Sequence, residues 1–154
     1  MAATMAEETP RIRQLIVEAA EGLDPWEAIP EARLTGVAVR CGPAEVAEIV
    51  AELEKLAEER RALPEWDGDS SDDIWRVQKM YGDILGQLDP ALLGEVAKGF
   101  ASPDADARMW VVIGLESHGT PALSPLRERL GSEADETVRQ VIAAAIGRLE
   151  DAEN

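Results

Sequence analysis

Carboxylates crowd around one tryptophan: Glu65, Asp67, Asp69, Asp72 and Asp73 surround Trp66 in a single short stretch. Clustered carboxylates can hold a cation or face a basic surface. A calcium loop needs Gly at its sixth position and an acidic residue at its twelfth. Counting from Asp67, those places hold Asp72 and Gln78, so the pattern is not an EF-hand, although looser divalent-cation binding remains open. Contact with a basic partner is the other chemistry, with Trp66 as the kind of aromatic anchor that dominates protein interfaces. The bland alternative is a solvated acidic linker whose Trp66 tucks onto neighbouring helices. A second acidic set, Glu45, Glu48 and Glu52, recurs at spacings of three and four. It reads as a solvated helix face or, in a stacked array, as a second binding surface.

Covalent or acid–base catalysis is harder to assemble. His118 is the chain's sole histidine and Cys41 its sole cysteine. In Glu116-Ser117-His118-Gly119-Thr120 the histidine reads as part of a helix C-terminus, near the negative end of the dipole, with Gly119 at a left-handed position. A Cys41–His118 dyad would need an orienting third group and a pocket. One cysteine forms no internal disulfide and no Cys-type zinc site. No Gly-rich loop follows a strand, so phosphate-cradling motifs are absent. The expectation is a protein with no metal, no cofactor and no enzymatic activity.

Charge narrows the partners. Lys and Arg together number 15 against 31 Asp and Glu, a net charge of −16. Phosphate binding needs a basic face, so nucleic acid is excluded as a partner. Docking on an anionic bilayer is disfavoured for the same reason. The first 88 residues carry nineteen acids against nine bases, so the excess concentrates upstream. Met1 to Glu8 show neither a basic nor an apolar leader region, and Met5 is an equally good start. With no apolar run long enough to span a bilayer, a cytoplasmic protein is expected.

The elements that must carry these groups are helical throughout. Thr9-Pro10 supplies a cap and a first-turn Pro for a helix built on Ile12, Leu15, Ile16, Ala19 and Leu23. Asp24-Pro25 opens a short element through Trp26 and Ile29, and Pro30 opens another to about Arg40. Gly42-Pro43 begins the clearest helix, with Val46, Ile49, Val50, Leu53, Leu56 and Ala57 on one face. The stretch 65–73 reads as a loop, and Ser71 with Asp72 and Asp73 as the next helix start. That helix runs through Ile74, Trp75, Val77, Tyr81 and Leu85 to Asp89-Pro90, with Trp75 assigned to the core, as is Trp110 further on. Trp26 fits either core or surface.

The last third repeats itself. Asp89-Pro90-Ala91-Leu92 recurs as Thr120-Pro121-Ala122-Leu123, an offset of 31, and Asp104 and Arg108 fall on Asp135 and Arg139. Each unit reads as helix, turn and second helix, and a period near 30 built of helical hairpins implies stacking, because one hairpin cannot bury its apolar face alone. Residues 121–150, with their Pro-Ala-Leu opening, Asp and Val-Arg at the second-helix start and Ala-rich run into Gly-Arg-Leu, resemble a HEAT-like repeat of the bacterial short-repeat type. Residues 89–116 resemble it more loosely, with bulky Met109 and Trp110 where the family prefers small residues, and Asp72 to Arg76 repeats the second-helix start once more.

The resemblance implies an all-α, short right-handed α-solenoid of about seven or eight helices. It divides the single domain 1–154 into divergent N-terminal helices (9–42), a divergent hairpin with the acidic loop (43–88), and two repeats (89–119 and 120–150). It also implies a polar ladder of Asp104, Arg108, Asp135 and Arg139, joined by Asp72 and Arg76. The function expected is non-enzymatic capture of a basic protein, in its sharpest form as an inhibitor or immunity protein against a toxin such as a nuclease. The alternative is a regulatory or scaffold subunit, monomeric or homodimeric. By resemblance, that alternative includes a lyase-type accessory protein. Alkyl-base glycosylases built from such repeats need a basic DNA groove, which the charge opposes.

Overall fold

The computed structural model describes residues 9–153. The leader and start-site readings at Met1 to Glu8 lie outside the described residues. Every regular element among those described is helical. In chain order the helices are α1 (Arg11–Ala19), α2 (Glu31–Val39), α3 (Pro43–Arg61), α4 (Gly68–Gln87), α5 (Leu93–Ala97), α6 (Ala105–Glu116), α7 (Leu123–Leu130) and α8 (Glu136–Glu153). None of them is long and apolar enough to cross a membrane.

The contacts sort these helices into two rows. α1 packs on α2, α3 on α4, α5 on α6 and α7 on α8. Within one row α1 touches α3 and α3 touches α5; within the other α2, α4, α6 and α8 touch in succession. A single apolar core runs between the rows, from Ile12 and Leu15 through Ile49, Leu53, Ile84 and Leu85 to Val111, Leu126 and Ile142. Each such side chain removed from water contributes about 1.5–3 kcal/mol.

The repeat seen in the sequence reappears in the order of elements. Pro90–Leu92 and Thr120–Ala122 are single 3-10 turns that lead into α5 and α7. Asp104 then caps α6, accepting from the amides of Asp106 and Ala107, as Asp135 accepts from Val138 in α8. The two units differ at Gly99. There the chain tightens into a 3-10 segment, Lys98–Ala101, against α3 and α6, and a Cβ would lie 2.7 Å from Val111 and 3.1 Å from Val50.

α4 and α6 approach closely because their crossing is built from small residues. An added Cβ at Gly82 would sit 2.9 Å from the Trp110 ring, and one at Gly114 2.6 Å from Leu85 Cβ. Ridges on each helix therefore enter space that any larger residue would fill.

Local expectations need correcting at three places. Pro10, not Thr9, occupies the position before α1, and Thr9 makes no side-chain cap. The first amides of α1 are instead taken by Glu48 of α3, at 3.2 Å from Arg11 N and 3.0 Å from Ile12 N. Residues from Asp24 to Ile29 form turns rather than a helix, and Trp26 is exposed. Finally, α4 starts at Gly68, so the acidic segment is a loop only up to Asp67. Asp67 is the cap, accepting from Ser70 N at 3.2 Å, because its short carboxylate meets the orphan amides before Ser71 can.

Candidate functional site

The two acidic sets have different fates. Glu45, Glu48 and Glu52 do not form a solvated face: their spacing of three and four turns all three toward α1. Glu45 accepts from Gly42 N at 2.7 Å and lies 3.7 Å from Arg11 Nε. Glu48 caps α1 as described. Glu52 is buried, with its oxygens 2.6 and 2.9 Å from Arg13 Nε and Nη2. The hydrogen bond from Arg13 to Glu52 raises the guanidinium's pKa further. These carboxylates hold the first hairpin onto the second and are not presented outward.

The set around Trp66 is presented outward. Glu65, Asp69, Asp72 and Asp73 are exposed, and Trp66 keeps 84% of its surface. It is therefore not tucked onto a neighbouring helix. Among the described residues no Lys or Arg pairs with Glu65, Asp69 or Asp72, and Asp73 meets only Arg76, at 3.2 Å on open surface. An exposed pair of that kind contributes little. Asp67 stands apart from this group, since its carboxylate is the α4 cap.

Trp75 departs from its core assignment. It is 42% exposed and leans on Trp110, with ring centroids 6.3 Å apart and planes tilted by 58°. Trp110 is buried, as expected. Trp75 stands at the outer rim of the α4–α6 crossing, so its helical stripe points inward while its ring is only half covered.

The residues expected to form an Asp–Arg ladder are engaged, but not with one another. Asp104 meets Arg61 of α3 at 2.7 Å, and Arg108 meets Glu133. Arg108 Nε and Nη2 each lie 3.0 Å from a Glu133 oxygen, and Nη1 reaches Ser102 O at 2.9 Å. Arg139 donates to Leu130 O and Glu133 O rather than to Asp135, and Arg76 pairs with Asp73 rather than Asp72. Glu133 is the group that sequence reasoning missed. It also accepts from Arg129 and from Asp135 N, each at 3.0 Å. Burial alone would push Glu133 up, yet the Asp135 amide and the two guanidinia outweigh it and hold the carboxyl below its ordinary value.

The remaining reactive groups are kept apart. His118 Nε2 lies 2.8 Å from Leu85 O, so it engages a carbonyl near the C-terminus of α4, and Gly119 takes positive φ beside it. Cys41 Sγ donates to Val37 O at 3.3 Å, and burial, aided by Glu45, pushes its thiol up to about 11. Neither residue has the other as a partner. Among the described residues no group of three or more His, Cys, Asp or Glu side chains is placed to hold a metal ion.

An open groove of about 530 Å³ lies where α3, α4, α6 and α8 meet, lined by Arg60, Arg61, Ser71, Asp106, Met109 and Asp135 among others. Most of its charged and polar side chains are engaged with their neighbours. Arg61 holds Asp104, and Arg60 Nε donates to Ser71 Oγ at 2.9 Å. Asp106 accepts from Gln78 at 2.8 Å, and Asp135 from Val138 N. No nucleophile stands there beside a free base.

Against protein-family models, curated proteins and solved structures, the chain has no match.

Proposed function

We propose that this chain is a non-enzymatic binding module that captures a basic protein through the surface around Trp66. The observation carrying the reading is the contrast between the two acidic sets. The carboxylates of Glu45, Glu48 and Glu52 have partners within the fold. Those of Glu65, Asp69 and Asp72 have no cation, and they flank the most exposed tryptophan. Leaving a large aromatic in water beside unpaired like charges does nothing for the free protein. In a complex, the ring would anchor the centre of an interface and the charges would steer the encounter.

The two helical rows support a short HEAT-like solenoid as the scaffold, in which a face of the array is the binding surface. The sharper form of the reading is an inhibitor or immunity protein. An acidic surface can mimic the polyanion that a basic toxin such as a nuclease binds. A cytoplasmic location fits that role.

Titration against a panel of basic nucleases at low and high salt tests the reading. The expected result is a complex whose Kd rises steeply with salt, weakened about 30-fold by Trp66→Ala, the scale of an interface hot spot. Absence of any salt-sensitive complex at low ionic strength would contradict it.

A further inference from the structure

α4 carries the exposed acids of the site into a second aromatic. Asp69 and Asp72 lie in its first turns, and Trp75 follows Asp72 by three residues, a spacing that makes the two side chains surface neighbours. From Gly68 to Trp75 the helix rises about 10 Å. Along the chain, Trp66 just before α4 and Trp75 within it thus bracket two exposed carboxylates without a cation. Further along, Lys79 and Arg76 are paired with Asp83 and Asp73, so the free charge stops where the second aromatic begins.

Trp75 does not stand alone. Its ring leans on Trp110, and an added Cβ at Gly82 would meet both the Trp110 ring and, at 4.0 Å, Ile113 Cγ2. Trp75 and Ile113 are 42% and 41% exposed. Together with the covered edge of Trp110 they form an apolar crest over the α4–α6 crossing. Gly82 makes room for the Trp110 ring beneath this crest, since an added Cβ 2.9 Å from it would force the ring or a helix to shift.

We propose that the docking surface extends from Trp66 along α4 to this crest, and that its occupant is an amphipathic basic segment of the partner. That segment sets an apolar side chain on Trp75 and Ile113 while neighbouring Lys or Arg side chains meet Asp69 and Asp72. The inference rests on the reading of the Trp66 surface as a site for a basic protein. Charge complementarity selects the occupant: a purely apolar segment would leave both carboxylates facing it unpaired, and a second copy of this acidic chain would repel them.

Two synthetic peptides of equal length and charge test the proposal, one an amphipathic Lys/Leu helix and the other with Ser in place of each Leu. The Lys/Leu peptide is expected to bind about tenfold more tightly, and Ile113→Ser and Trp75→Ala each to cut that preference at least threefold. Binding of the Lys/Ser peptide should fall much less than that of the Lys/Leu peptide in both variants. Ile113→Ser alters an exposed side chain, so it keeps the test valid if Trp75→Ala perturbs Trp110. A preference undiminished in both variants overturns the crest while leaving the Trp66 surface standing. Failure of both peptides to bind overturns the crest and the Trp66 reading together.

Discussion

Arg108 and Glu133 meet as a two-pronged pair, each of two guanidinium nitrogens 3.0 Å from a different carboxylate oxygen, and the Glu133 side chain has no exposed surface. The pair joins α6 to the turn before α8, so it fastens one repeat to the next. Removing one charge would strand the other inside the protein. Glu133→Ala is expected to lower stability by about 3–5 kcal/mol in urea denaturation. Arg108→Met combined with Glu133→Leu should cost less, because the buried Arg108 charge is then not stranded and the charge that loses Glu133, on Arg129, is partly exposed.

Acid should loosen this joint and the Arg61–Asp104 pair together. Burial alone would raise Asp104, but Arg61 and the Ala107 and Asp106 amides hold it below its ordinary value, as the neighbours of Glu133 do there. A carboxyl depressed in the folded state contributes stability that is present above its unfolded pKa and lost as pH falls through the folded one. The urea midpoint should therefore hold steady from neutral pH to about pH 5 and fall below about pH 4. A variant carrying Asp104→Asn and Glu133→Gln, less stable at neutral pH, should show a shallower fall.

Glycines divide by what surrounds them. Gly114→Ala would bring a Cβ to 2.6 Å from Leu85 Cβ, a contact that backbone must move to relieve, whereas Gly147 has nothing within 4 Å. Gly114→Ala should cost about 1–3 kcal/mol by overpacking. Gly147→Ala, within α8, should raise stability by up to about 1 kcal/mol through helix propensity. Paired thermal denaturation curves give both signs at once.

Cys41 is set up to be inert. Its thiol is buried, pushed up to about 11 and bonded to Val37 O. Since the thiolate is the reactive species, a chromogenic thiol reagent at pH 8 should react with the folded protein only at the rate of unfolding. Addition of denaturant should release one fast-reacting equivalent.

Helical periodicity carried much of this fold. The apolar stripe of α3 reads directly from its spacing, and Val46, Ile49, Leu53 and Ala57 are all buried. The offset between Asp104 and Asp135 likewise marked two helix starts, but that each carboxylate caps its helix emerged only from the structure. What periodicity cannot register is a partner far away in the chain. Glu52 follows the same spacing as a solvated stripe, yet it is buried because Arg13 arrives from a helix 39 residues away. Glu133 sits in a turn with no periodic signal, and its only clues were Arg129 four residues earlier and an arginine, Arg108, amid the apolar positions of α6. Trp66 and its flanking acids were legible from composition as a candidate surface. The half-exposure of Trp75 was not, because it depends on how α4 crosses α6.

Carboxylates engaged within the fold and carboxylates free on α4 are expected to do different things. One experiment separates them: melting temperature and low-salt binding to a basic nuclease, measured on two variants side by side. The first carries Trp66→Ala, Asp69→Asn and Asp72→Asn; the second carries Glu45→Gln, Glu48→Gln and Glu52→Gln. The first should lose binding with little change in Tm, and the second should lose Tm by several degrees while its folded fraction still binds. A first variant that binds as tightly as the parent, or a second that loses binding with its Tm intact, would contradict the account.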